Sequence, residues 1–485
     1  EFFSLEREES VTANSVQPTI TMFGVPVRIM FGAMMLLTFP LAFLFPFLAS
    51  RARRLLYGAT IGAAMLILIF EWDSLHFFIS ATLTYLLCRI LPGKVLPYVV
   101  LPLAFGHVFF CHLSIQFTNY LDTSTNITGT QMILSLKLMS FAYNCRDGAL
   151  ISKLNAEEYP AEARQKKRAF TKIPSFFEFF AYCFLFATVL AGPYFEYYDF
   201  DEWVSMRSHQ AMKSQLGKAF RLISFALPCM ILAALAPSFP MSFVVDDSSP
   251  DLPWDQMIAS VFASEALFRT KYYFAWMTAE GSSAAAGFGY RTPDEIPGAD
   301  KDQKEGDWEL LCNVHPLKVE FPSSLATLGT TDWNMSVAKF MRRYIFDRLA
   351  GRKSSGRSMS RLVTFLVSAM WHGFYMGYYL FFVTYFAFET VEIYLGRAFK
   401  HYFAGPFLSR VWNVLAVCFA TIALNYNGVA FVLLDHWLTL KLWQRLHFSV
   451  HLAALGLFVL TMFFPKRNPS SRRRPVSTPE SKKEK

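Results

Sequence analysis

The stretch "SAMWHGFYMGYYLFF", residues 368–382, decides whether this chain belongs in water or in lipid. Its aliphatic and aromatic side chains are at home in hydrocarbon or at its edge, and only His372 is ionisable near neutral pH. Extended outward, the apolar character runs over 361–384, about the ~20 residues a helix needs to cross ~30 Å of hydrocarbon. Similar runs recur at roughly 27–49, 55–70, 74–92, 96–117, 131–143, 176–193, 217–238, 257–276, 409–430 and 446–464. Strict apolar/polar alternation, the mark of a membrane barrel, is absent. The reading is an all-α polytopic membrane protein of about ten or eleven transmembrane helices.

Composition agrees. Of 485 residues, 53% are hydrophobic and 17% aromatic, while only 17% are charged, against about a quarter in soluble domains. The net charge of +9 does not indicate a nucleic-acid partner, because Lys and Arg gather in short clusters between apolar runs. "RARR" (51–54), "RQKKR" (164–168), "RRYIFDRLAGRKSSGR" (342–357) and "KRNPSSRRR" (466–474) fit cytosolic loops. The seven cysteines are scattered without CxxC spacing, so neither a disulfide framework nor a metal site follows from them.

The chain divides into a polar N-terminal segment (1–26), a multi-span domain (27–465) and a basic, Pro/Ser-rich, disordered cytosolic tail (466–485). "EFFSLEREES" at the start suggests no cleavable signal peptide. Residues 144–174, after a "DG" pair, read as a solvated loop, and 281–321 as a second polar stretch. The final "KKEK" fits a dilysine signal for the endoplasmic reticulum or, equally, an ordinary basic tail.

Counting from the basic loop that ends at Arg361, eleven helical residues place His372 about 16 Å deep, near the middle of the bilayer. An ionisable group there must face protein or a polar cavity. A catalytic histidine and one hydrogen-bonded between helices are both consistent with that depth. Gly373 and Gly377 form a small-xxx-small pair that admits another helix, a substrate or a second copy in a homodimer. Upstream, "TTDWNMSVAKFMRRYIFDRL" (330–349) places Trp333 and Asn334 at the head of an amphipathic helix. Lys339, Arg342, Arg343 and Arg348 lie on its basic side, where they suit an anionic head group or carrier phosphates, or simply a membrane surface. His107 and His112 are five apart, off a common helical face, and read as packing or a polar wall, not as metal ligands. His315, beside Pro316, reads as shaping the loop before the Asn block.

"WHGFYMGYY" with the upstream "DWNMSVAKFMRRYIF" resembles the membrane-bound O-acyltransferase family. "TGTQMILSLKLMSFAYNCRDG" (128–148), "PSFFEFFAYCFLFATVLAGPYFEYYDF" (174–200) and "RTKYYFAWMTAEGSSAAAGFGY" (269–290) look like its lysophospholipid acyltransferase branch. Five blocks in order, from about 120 to 395, carry the likeness. One departure is Met376, where many members have Pro, which puts a local helix kink in doubt.

The resemblance implies a helical core around a mid-membrane reaction chamber. It implies His372 and Asn334 as the catalytic pair and acyl-CoA and a lysophospholipid as substrates, without bound cofactor or metal. Trp333, Arg343, Tyr375, Tyr378, Tyr273, Trp276 and Glu280 are the further candidates for substrate contact. Tyr, Trp and Phe of 182–203 and 269–290 either line the chamber or anchor and pack helices. Glu196 and Glu280 stand out because a carboxylate near lipid is costly. Imidazole suits the role of general base, and no cysteine has a base motif beside it, so no thiol nucleophile is expected. Rival readings are a family member acylating diacylglycerol, a sterol or a protein, and a lipid transporter. The transporter would call for an internal repeat that is not visible.

Overall fold

A computed structural model describes residues 20–121, 125–151, 168–170, 172–205, 212–245, 252–291, 306–350 and 357–465. The tail with "KKEK" and most of the N-terminal segment lie outside the described residues. Among those described, the chain is helical, with β pairing limited to two isolated bridges.

The long helices are α1 (Val27–Ala42), α2 (Arg51–Phe70), α3 (Leu75–Ile90), α4 (Leu96–Thr118), α5 (Ile127–Ile151), α6 (Met212–Leu235) and α7 (Trp254–Ala285). After the short α8 (Met335–Phe340) come α9 (Arg357–His372), α10 (Met376–Phe399), α11 (Pro406–Leu433), α12 (His436–Arg445) and α13 (Ser449–Leu460). Local chemistry sets several boundaries. Ser50 caps α2 by accepting from the Arg53 amide at 3.3 Å, and Asp435 caps α12 through the Trp437 and Leu438 amides. Ser175 and Glu178 form a reciprocal capping box ahead of Phe176–Cys183.

Among the described residues, five stretches are long and apolar enough to cross a bilayer: Val27–Phe47, Arg51–Ile90, Leu96–Thr118, Gln215–Ser238 and Pro406–Leu433. The bent pair His436–Arg445 and Ser449–Phe463, which turns by 74°, can add a sixth. Their outer faces leave Ile29, Leu37, Phe110, Phe117, Ile231 and Val414 exposed. In water such apolar area would be a liability, but in a bilayer it is the solvated surface.

α5 and α7 occupy the interior instead and carry its polar groups. Lys137 of α5 is 1% exposed. It donates to the Tyr182 and Cys183 carbonyls at 3.1 and 3.2 Å, at the end of helix Phe176–Cys183, where orphan carbonyls and the helix dipole favour a cation.

Two readings of the sequence are corrected. The short span at 131–143 is the middle of a 25-residue helix. The expected loop at its end is still helix through Asp147–Gly148, because buried Asp147 pairs with Arg348 at 2.8 Å and so has no need of solvent. The span at 361–384 is not continuous either, and its interruption makes the site.

Candidate active site

α9 ends at His372. Gly373 takes φ +132°, which L side chains rarely adopt, and α10 restarts at Met376. Tyr375, in the extended region, is the N-cap of α10, which makes Met376 its first helical residue. That is where proline is best tolerated. The break expected from Pro in related chains is therefore made here by Gly373. Gly377 lies so close to α11 that a Cβ would fall 2.3 Å from the Ala430 carbonyl oxygen. Its amide donates to the Leu434 carbonyl at 2.8 Å. This glycine thus serves contact within the chain.

The break leaves the His372 imidazole at a helix end. Around it stand the rings of Trp371, Tyr378, Phe382 and Phe431, with centroids 4.9–5.6 Å away. No described residue hydrogen-bonds the His372 ring. Behind it, His112 Nε2 meets the Trp371 carbonyl at 3.2 Å, and the Trp371 indole donates to the Met132 carbonyl at 3.3 Å. The aromatic shell holds the ring by packing and leaves its nitrogens available.

Asn334 is the N-cap of α8 and adopts a left-handed backbone, φ 43° and ψ 48°, which Asn tolerates better than most residues. Its side chain makes no cap bond. Instead, Asn313 Nδ2 donates to Asn334 Oδ1 at 3.4 Å. Asn313 is 1% exposed. It also accepts the Ser336 amide on its side chain and the Met335 amide on its carbonyl. With its oxygen engaged, Asn334 keeps its amide N–H groups for another acceptor.

His372 and Asn334 line the same cavity, of about 380 Å³. Trp333 and Trp276 line it too and pack edge to face at 4.9 Å. The remaining candidates stand outside the lining. Tyr378 buttresses His372 and Phe431. Tyr375 accepts the Leu121 amide at 2.9 Å. Tyr273 donates to Glu320, which also holds Arg269. Arg343 pairs with Glu196 at 2.9 Å, and Glu280 with Lys218 at 2.8 Å.

Residues 97–434 match the model of the membrane-bound O-acyltransferase family. This chain belongs to that family. Among its relatives is the lysophospholipid acyltransferase of Schizosaccharomyces pombe, 30% identical over 78% of this chain and 75% of that one. Lysophospholipid acyltransferase 2 of Arabidopsis thaliana is 28% identical over 94% and 97%. Membrane-bound glycerophospholipid O-acyltransferase 2 of Homo sapiens is 25% identical over 84% and 78%.

Several residues of this family member's chamber escaped the sequence reading. Asn313 lies 21 residues before Asn334 in an irregular loop, with no local pattern to mark it. Glu265, Arg269, Arg361 and Glu389 all line the cavity, in the ion pairs Arg269–Glu265 and Arg361–Glu389 at 3.3 and 3.4 Å. A charge every fourth residue in "EALFR" (265–269) was the available signal.

Proposed function

We propose that this chain transfers a fatty acyl group from acyl-CoA to the free hydroxyl of a lysophospholipid, in the membrane of the endoplasmic reticulum. The carrying observation is the shared cavity that His372 and Asn334 both line, with no described residue hydrogen-bonding the imidazole and Asn334 engaged at its oxygen, by Asn313. His372 accepts the hydroxyl proton as the lipid oxygen attacks the thioester carbon. The Asn334 amide donates to the carbonyl oxygen as negative charge develops there. Collapse of the tetrahedral intermediate breaks the C–S bond, and the imidazolium returns its proton to the CoA thiolate. The proton count is unchanged overall, and no acyl-enzyme is formed.

The aromatic lining supports this reading for the acyl chains. Trp276, Trp333, Phe381 and Phe431 offer the aromatic surface that acyl chains need, and the Arg269 and Arg361 ion pairs add little net charge. The test is acyl transfer by purified, detergent-solubilised protein, using radiolabelled oleoyl-CoA and a panel of lysophospholipids. His372→Ala should lose about 10²–10⁴-fold in turnover and Asn334→Ala about 10²–10³-fold. Near-full activity in correctly folded His372→Ala protein rejects the assignment.

A further inference from the structure

One side-chain cluster has no part in the chamber. Glu309, Cys312 and His315 follow one another at three-residue intervals in an irregular loop, and their ligand atoms lie within 4.8 Å of one another. Cys312 Sγ is 3.9 Å from both ring nitrogens of His315. A tetrahedral ion with one sulfur and two N/O ligands needs separations of about 3.3–3.6 Å, so small side-chain rotations suffice to close the set.

The local charge admits a cation. Lys218 lies 3.5 Å from Glu309 and 2.8 Å from Glu280, and Lys339 reaches the Leu310 carbonyl at 3.4 Å, so two carboxylates face two ammonium groups. Loss of the thiol proton on coordination adds one negative charge. Glu309 is 41% exposed while Cys312 is buried. That arrangement leaves a fourth position for water and a route in for the ion. Thiolate, imidazole and carboxylate together select a borderline-soft ion of the zinc type over magnesium or calcium.

A second triad, His76, His107 and Cys111, makes the contrast. There His76 Nδ1 meets His107 Nε2 at 2.8 Å and Ser80 meets His107 Nδ1 at 2.5 Å, so hydrogen bonds already engage both nitrogens of His107.

We propose that Glu309, Cys312 and His315 hold one divalent cation of the zinc type, bracing the loop that carries Asn313. Asn313 follows Cys312 directly, and the His315 amide donates to the Asp332 carbonyl at 2.9 Å. An ion here clamps both ends of the short segment that fixes Asn334. This consequence for Asn334 rests on the acyltransfer reading, but the binding test does not.

The full chain, purified in detergent and stripped with chelator, is titrated with cobalt(II). One equivalent should give a thiolate-to-cobalt charge-transfer band that zinc displaces, and zinc should raise the thermal midpoint. Cys312→Ser should abolish both signals, and His315→Gln should weaken binding at least tenfold. If Cys312→Ser does not fold, His315→Gln and Glu309→Gln carry the test. Absence of the band overturns the site. So does a band that survives Cys312→Ser, or one lost in Cys111→Ser, which would put the ion on the other triad. Acyl transfer is measured in none of these arms, so failure of the site and failure of the proposed reaction are separate results.

Discussion

His372 and Asn334 differ in how they are held, and that difference predicts how each can be disturbed. The histidine is fixed by rings on several sides, the asparagine by one buried amide and a left-handed backbone. Asn313 should therefore act as a positioning residue. In Asn313→Ala the Ser336 amide loses its acceptor, at a cost of about 1–3 kcal/mol for a buried unsatisfied group. Steady-state kinetics should show kcat reduced by roughly tenfold or more, since a misplaced donor weakens the transition state, with KM for both substrates nearly unchanged. A change confined to KM would instead make Asn313 a binding residue. The motif made His372 and Asn334 legible in the sequence, because each sits in a dense aromatic or basic block. Asn313 was not legible, because its role depends on a tertiary contact spanning 21 residues.

At the scale of elements, the interruption between α9 and α10 governs the site. A side chain at position 373 must adopt φ +132°, and its Cβ would touch the His112 ring at 3.4 Å. Gly373→Ala should lose about 1–3 kcal/mol of stability, and turnover should fall because the strain relaxes through His372. Met376→Pro makes the opposite case. The first helical position needs no amide donor, Tyr375 is already extended at ψ 130°, and Met376 is 52% exposed. Thermal unfolding and acyl transfer should show a midpoint unchanged or slightly higher and activity within about twofold of the parent, through lower unfolded-state entropy. A folded but inactive Met376→Pro would mean that the position touches substrate. Apolar run lengths made most helices legible but could not show this break, since Gly373 and Gly377 are as common in packed membrane helices as in bends. The "DG" of α5 misled for the reverse reason: a turn signal was overridden by the Asp147–Arg348 pair, whose partners are 201 residues apart.

Across the whole molecule, carboxylates from distant segments take up the basic face of the 335–350 segment. Arg343 is held by Glu196 and Arg348 by Asp147, and Glu196 also accepts from Tyr344 and Asn144. Clusters of Lys and Arg were legible as a topology signal, but the sequence could not say which of them were already neutralised. Glu196→Ala would leave Arg343 in a largely buried site without its partner, and thermal unfolding should register a loss of about 3–5 kcal/mol. Lys339 reaches the Leu310 carbonyl at 3.4 Å instead, and Arg342 stands apart. It is exposed, it lines the cavity, and no described carboxylate pairs with it. If the proposed reaction holds, an exposed guanidinium lining the chamber is placed to meet the phosphates of a CoA thioester while its acyl chain passes inward. Arg342→Glu should therefore raise KM for acyl-CoA by about tenfold, equivalent to ~1.4 kcal/mol, with kcat and the lysolipid KM unchanged. Because the site is solvated, the parent's KM for acyl-CoA should rise with ionic strength and the variant's should not. Equal salt responses in the two proteins would place the CoA phosphates elsewhere on the surface.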